Sequence, residues 1–357
     1  MTTPSQSASS RPPANAGQGR RKRVFVAGAT GYIGRYVARE LLSRGYEVVC
    51  LVRKHSGVGA NTGPEQVQRQ LEGCKLRFGD VTDKQSLVED GFCGERFDAI
   101  VCCLASRSGG IKDSWRIDYQ ASKQLLDAGL AAGAVHFLLL SAICVQKPRL
   151  EFQRAKLRME RELIASGVTY SIVRPTAFFK SVAGQVQSVK SGRPYMMFGD
   201  SDAACKPISE ADLAEFMANC LEDPDLQNSI LPVGGPGEAL TARERGELLF
   251  ELARQKPKFR KIPVAIFSAI IPLLDGLALL LPRFADKAEF ARIGRYYATE
   301  SMLVLDAESG LYDAEATPSY GRQTLREFYE RVLEQGMTGQ ELGDHSLFNS
   351  TASAKNS

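Results

Sequence analysis

From residue 24 onward the chain alternates two kinds of segment. Short apolar or β-branched runs at 24–27, 47–52, 75–78, 99–104, 136–140 and 169–173 are separated by longer stretches whose apolar residues recur at helical spacing. Runs that are apolar on both alternating positions predict strands covered on both faces, and helices between them predict parallel order. The clearest helical stretches are 34–43, 114–132 and 152–166, with Gly45, Gly133 and Gly167 placed as C-terminal stops. The expected fold class is α/β, a doubly wound parallel sheet of Rossmann type. Beyond Pro175 the alternation loosens into a helix over 210–221, a strand at 230–233 and a helix over 241–254.

Between the first run and the first helix stands "GATGYIG", with Gly28, Gly31 and Gly34 at GxxGxxG spacing and Thr30, Tyr32 and Ile33 between them. Gly28 suits a tight turn, Gly31 leaves backbone room beside a diphosphate, and Gly34 allows close packing at a helix N-terminus that faces the phosphates. The strand and helix on either side turn a weak motif into a dinucleotide site. The second run ends in Arg53 and Lys54, where an NAD-preferring site places an acid for the ribose 2′-hydroxyl. A cation there suits a 2′-phosphate, which favours NADPH as the cofactor. Asp80 and Val81, after the third run, are placed to touch the adenine; Leu104 and Ser106, after the fourth, lie along the nicotinamide half.

Composition narrows the partners. A formal charge of +4 on 357 residues is too diffuse for a phosphate-backbone stripe, so no nucleic acid is expected. The eight cysteines lie mostly in apolar runs without a CxxC pair, and His55, His136 and His345 are far apart, so buried thiols and no metal are expected. Residues 1–23 carry five basic residues, no acid and no apolar core, so export is not expected. The same stretch fits a disordered tail of a cytoplasmic bacterial protein or a short plastid transit segment. The expected organisation is a tail at 1–22, an NADP-binding Rossmann domain at 23–180, a substrate-side region at 181–345 with a returning strand near 230–233, and a tail at 346–357.

The blocks to this point resemble the short-chain dehydrogenase/reductase superfamily, in its atypical or extended, NmrA-like branch. That resemblance implies a serine after the fifth strand and Tyr-x-x-x-Lys on the next helix. Tyr119 and Lys123 match the spacing but precede the fifth strand, so they read as an ordinary helix surface. After Ser141 the chain reads Phe152, Gln153, Arg154, Ala155, Lys156. The lysine is present and the tyrosine is phenylalanine, so the usual proton donor for a ketone or alcohol is missing. Lys156 remains as the catalytic candidate, able to hydrogen-bond the nicotinamide ribose and carry positive charge into the site. Hydride addition to a conjugated carbon–carbon double bond asks less of a dedicated acid.

Several blocks together resemble the NADPH-dependent divinyl chlorophyllide 8-vinyl reductases: "GGIKDSWRIDYQA", "LLLSAICVQKP", "LEFQRAKL", "TYSIVRPTAFFKSVAGQV", "GRPYMMFGD", "CKPISEADLA" and "LPVGGPG". The resemblance spans roughly residues 23–348. It implies reduction of the 8-vinyl group of a divinyl chlorophyllide or protochlorophyllide to ethyl by NADPH, with a tetrapyrrole as substrate. Substrate-side candidates are then Phe152, Phe178, Phe179, Lys180, Tyr195 and Lys206, with Arg174 at the end of the sixth strand beside the cofactor. Two other classes stay open: a phenylpropanoid-type double-bond reductase, and a non-catalytic NADP-binding regulator or assembly factor.

One stretch stands apart. Residues 262–281, "IPVAIFSAIIPLLDGLALLL", are long enough to span a bilayer as one helix, but Pro272 predicts a break or kink and Asp275 would be a costly lone acid in lipid. The cations Lys256, Lys258, Arg260, Lys261, Arg283 and Lys287 flank it. The expectation is a part in the tetrapyrrole pocket and at most a peripheral membrane contact, with a hairpin buried in the C-terminal region as the alternative.

Overall fold

The computed structural model describes residues 21–53, 63–199 and 202–336; Lys54 and most of the two predicted tails lie outside the described residues. Seven parallel strands form the central sheet: β1 (Arg23–Ala27), β2 (Glu47–Val52), β3 (Lys75–Phe78), β4 (Ala99–Cys102), β5 (His136–Leu140), β6 (Thr169–Pro175) and β7 (Ser229–Val233), in the order β3-β2-β1-β4-β5-β6-β7. β1 sits centrally, with Val24 opposite Val48 on one side and Ala99 on the other. The order reverses at the β1/β4 boundary, and ligands of such sheets lie outside the strand ends at that point.

The strands are apolar on both faces because both are covered. On one face Val24, Val26, Val48 and Cys50 pack with α1 (Gly34–Ser43) and α3 (Glu210–Asn219). On the other, Phe25, Val49, Ile100 and Phe137 pack with the helical segment 111–131 and with α2 (Glu151–Ala165). β4 ends at Cys102, two residues short of the expected run; the Cys103 amide still donates to the Ala27 carbonyl at 2.9 Å, and the chain then leaves the sheet toward the site. β6 runs two residues longer than expected because β7 extends it, with the Thr176 amide donating to the Val233 carbonyl at 3.0 Å. The returning strand expected near 230–233 is thus the seventh strand of the main sheet.

A further core lies in the C-terminal region, where Phe179, Tyr195, Phe250, Phe328 and Tyr329 pack together. The strand Tyr195–Phe198 pairs in parallel with Phe259–Ile262. The apolar stretch then forms α4 (Ala265–Leu280), which runs through Pro272 instead of stopping there, and turns back as α5 (Arg283–Thr299). The first arm of the hairpin is exposed instead of buried, with Ile271 the one buried residue of α4 and Leu279 and Leu280 89% and 80% exposed, while α5 buries Ala288, Glu289, Gly294 and Tyr296. Asp275 is not alone, since Arg292 of α5 donates to both its carboxylate oxygens at 2.6 and 2.7 Å. Among the described residues no helix is long and apolar enough to cross a membrane.

Candidate active site

The glycine loop is shaped by contacts that admit no side chain. Gly28 has φ +82°, and a Cβ there would meet the Cys103 carbonyl oxygen at 2.4 Å; a Cβ on Gly34 would meet the Gly28 carbonyl oxygen at 2.2 Å. The Gly31 amide closes the turn on that same carbonyl at 2.9 Å, and although Gly31 is exposed, a Cβ there would meet that oxygen at 3.0 Å. α1 follows at once, the Arg35 amide reaching back to the Gly31 carbonyl at 3.3 Å and the Tyr36 and Val37 amides to the Ile33 carbonyl at 2.9 and 3.1 Å, so the helix N-terminus opens directly from the loop. A concave backbone with donors at a helix N-terminus fits a dinucleotide diphosphate. Thr30 and Tyr32 are half-buried on the loop and Ile33 anchors it in the core.

The ribose end is cationic. Arg53 is exposed at the end of β2, and partial burial of its guanidinium followed by repulsion from Arg107 pulls its pKa below the ordinary value, with Arg116 adding to the effect and Asp80 opposing it. Three arginines around one position fit a phosphate better than a hydroxyl. Asp80 is spent on its own turn, accepting from the Thr82 amide and hydroxyl at 2.8 Å each; although burial works the other way, those bonds hold its carboxyl below the usual range. Val81 packs on the core beneath it. Arg107 and Arg116 were not singled out in the sequence, because nothing local ties them to the end of β2.

The centre is a buried pair. Lys156 Nζ lies 3.0 Å from Asp118 Oδ1, with the two side chains 12% and 1% exposed. Burial alone would lower the lysine pKa, but Asp118 outweighs it and holds the ammonium above its ordinary value. Asp118 also accepts from the Ser106 amide at 3.4 Å, which ties the loop after β4 to the lysine. It reaches inward because the helical segment widens from α to π geometry over Trp115–Ala121, between Ile111–Ser114 and Ser122–Ala131. Such widened turns cluster at functional sites. A mid-helix carboxylate among apolar neighbours was the one available signal for Asp118. Leu104, Ser122, Ser141 and Met159 complete the crevice around the pair.

Ser141 and Arg174 meet on one buried carboxylate. The Ser141 hydroxyl donates to Glu160, and Arg174 forms a two-pronged pair with the same carboxylate, which is 3% exposed. Both brace the ends of β5 and β6 against α2 through Glu160. Tyr119 and Lys123 face other partners: the Tyr119 hydroxyl donates to Glu162 at 3.5 Å and Lys123 pairs with Asp127 at 2.6 Å.

The substrate-side candidates divide. Phe152 is half-buried beside Ile293 of α5. Phe178 lies edge-on to Tyr32 at 6.1 Å, and Lys180 Nζ sits 4.8 Å from the centre of the same ring, so these two border the glycine loop. Tyr32 in turn donates to Glu210 at 2.7 Å. Phe179 and Tyr195, 1% and 4% exposed, belong to the C-terminal core and present no surface to a ligand. Lys206 is likewise removed, because its ammonium donates to the Thr317 carbonyl at 3.1 Å and fastens the 317–319 loop.

A family profile described as NAD(P)H-binding matches residues 28–224. The divinyl chlorophyllide a 8-vinyl-reductase of Zea mays, a chloroplastic protein, is 56% identical over 331 residues, covering 91% of this chain and 82% of that one. Its counterpart from Arabidopsis thaliana is 53% identical, covering 90% and 79%. Among solved structures, the Escherichia coli NADPH-dependent quinone oxidoreductase complexed with NADPH superposes with a TM-score of 0.61 at 19% identity, covering 87% of this chain and 99% of that one. Relatives this similar along nine-tenths of the sequence show that the chain belongs to the divinyl chlorophyllide a 8-vinyl-reductase family.

Proposed function

We infer that the protein reduces the 8-vinyl group of divinyl chlorophyllide or protochlorophyllide a to ethyl with NADPH, in the making of chlorophyll or bacteriochlorophyll. The observation that carries this reading is the 56% identity with the maize reductase over 91% of the chain. When bound, NADPH supplies a hydride. The chain's residues do the rest. The glycine loop and the N-terminal end of α1 hold the diphosphate, and Arg53, with Arg107 and Arg116 beside it, meets the 2′-phosphate. Asp80 and Val81 border the adenine, and Leu104 and Ser106 line the nicotinamide half. Lys156 hydrogen-bonds the nicotinamide ribose and sets a fixed positive charge where electron density builds in the acceptor. Asp118 positions that lysine. Phe152, Phe178 and Lys180 form the wall that faces the tetrapyrrole.

The exposed leucines of α4 and the cations that flank the hairpin fit a peripheral contact with an anionic membrane surface, from which an apolar tetrapyrrole is collected. The reaction belongs in the compartment that makes chlorophyll precursors, the cytoplasm of a photosynthetic bacterium or, as for the chloroplastic relatives, the plastid. Purified protein with NADPH and divinyl chlorophyllide, followed by absorption and chromatography, tests the reading. Monovinyl product in step with NADPH oxidation is the expected result; cofactor binding without turnover of any divinyl tetrapyrrole overturns it.

A further inference from the structure

The two helices that carry the central pair are not capped by the residues that open them. The helical segment 111–131, which presents Asp118, begins after Gly110, and α2, which presents Lys156, begins after Leu150. Neither residue has a side-chain oxygen to accept a first-turn amide. Gln153 serves the Arg149 and Leu150 amides at 2.8 and 3.0 Å, which leaves the Glu151 amide over. α5 supplies both missing acceptors. Its Glu289 accepts from the Glu151 amide at 2.8 Å, and its Asp286, one turn earlier, accepts from the Ile111 amide at 3.1 Å.

Glu289 is 3% exposed, and a carboxylate so enclosed is costly unless its oxygens are used. One oxygen takes the α2 amide. The other lies 3.6 Å from Arg292, whose second terminal nitrogen holds Asp275 of α4 at 2.6 Å. The two capped helices are also tied to each other at the same level, because the Trp115 indole donates to the Glu151 carboxylate at 2.9 Å. Glu151 is therefore a junction, held at its amide by α5 and at its side chain by the segment that bears Asp118. Lys156 stands five residues beyond Glu151, and Asp118 three beyond Trp115.

We propose that Glu289 is a positioning residue of the reduction. It touches neither substrate nor cofactor; by fixing the first turn of α2 from a separate element, it sets the depth at which Lys156 meets Asp118 and faces the cofactor. This rests on the vinyl-reductase reading above. A slip of the first turn along the helix axis carries Lys156 with it, and a misplacement of about 1 Å costs on the order of 100-fold in rate.

The test sets Glu289→Ala against Glu289→Gln, which keeps an acceptor at the same reach. Glu289→Ala is expected to lower kcat about 10-fold or more while NADPH binding, measured by fluorescence quenching, stays within about threefold; Glu289→Gln stays within about threefold of wild type in both. A second readout needs no turnover. The coupling between Asp118 and Lys156, measured by urea unfolding of the parent, Asp118→Asn, Lys156→Met and their double variant, is expected to fall to less than half when Glu289→Ala is the parent. Loss of a merely structural cap would lower all four proteins alike and leave that coupling unchanged. The proposal is overturned if Glu289→Ala keeps a rate within about threefold of wild type, if Glu289→Gln falls as far as Glu289→Ala, or if the coupling is unchanged. Should Glu289→Ala fail to fold, Glu289→Asp decides by the same two readouts, since it keeps the charge and withdraws the acceptor by one methylene. Wild-type protein that does not reduce the vinyl group counts against the function instead, and the unfolding cycle still tests the positioning.

Discussion

Replacing Asp118 by Asn leaves the Lys156 ammonium buried without its carboxylate. At the 3.0 Å separation of the pair, Coulomb's law with an effective dielectric of about 20 gives an upper figure of about 5 kcal/mol. Breaking one side of a buried pair costs about 3–5 kcal/mol, mostly for the charge left behind. Asn can still accept from the Ser106 amide, so the loss should sit near the low end, about 3 kcal/mol. The lysine responds as well. Burial pulls its pKa down and Asp118 pulls it up, so with the carboxylate gone it should fall below the ordinary lysine value. The wild-type pair, with its raised lysine pKa, contributes stability that fades as pH rises through that pKa, whereas the variant's penalty is relieved as its lysine deprotonates. The stability gap therefore narrows toward alkaline pH. Urea unfolding of wild type, Asp118→Asn, Lys156→Met and the double variant measures this as a cycle. The double variant, with no buried charge left in the pair, should recover about 2 kcal/mol relative to the sum of the singles. Additivity within about 0.5 kcal/mol would refute the coupling.

Arg53→Ala should weaken NADPH binding by about 1–3 kcal/mol and spare NADH, since only the 2′-phosphate loses a charged partner; equal losses for both would remove that assignment. His136 is 6% exposed, and burial, followed by repulsion from Lys22, pushes its pKa down to about 4. A depressed histidine favours the folded state while neutral, so its share of stability is complete above the unfolded value near 6.5 and is lost as pH falls toward 4, about 2–3 kcal/mol in all. His136→Gln should flatten stability over that window in chemical unfolding; an unchanged slope would mean the imidazole titrates normally. Leu279→Glu with Leu280→Glu, at the most exposed leucines of α4, should leave unfolding within about 0.5 kcal/mol of wild type but abolish co-sedimentation with anionic liposomes. Retained sedimentation would exclude this face as the contact.

The sheet was readable because its strands are short, apolar and separated by helices with clear stops. β2, β3 and β5 begin and end where their runs do. The glycine loop was readable too, since each glycine meets backbone within a few residues or at the adjacent strand end. The chemistry at the centre was half readable. Lys156 stands where the motif puts it, but Asp118 lies 38 positions earlier on another helix, and only the π-widened turn brings it round. Glu160 was missed for a similar reason, because its two partners come from two strand ends. α5 escaped notice because polar and apolar residues alternate around it, and its inward carboxylates Asp286 and Glu289 look like solvent groups until their amide partners are seen. Phe179 and Tyr195 illustrate the opposite error, since an aromatic near a strand end fills a core as readily as a pocket.

The widened turn over Trp115–Ala121 also constrains how this stretch can change over time. A π-turn holds one residue more than the α-turn it replaces, so the two halves of the segment are offset in phase. Deleting Tyr119, Gln120 or Ala121 would let the segment relax into a regular helix and swing Asp118 by about 100° relative to Ser122, away from Lys156. Exchanges of one side chain for another on the outer face cost little by comparison. The stretch is therefore free to drift in identity while its count of residues stays locked to a lysine on a different helix.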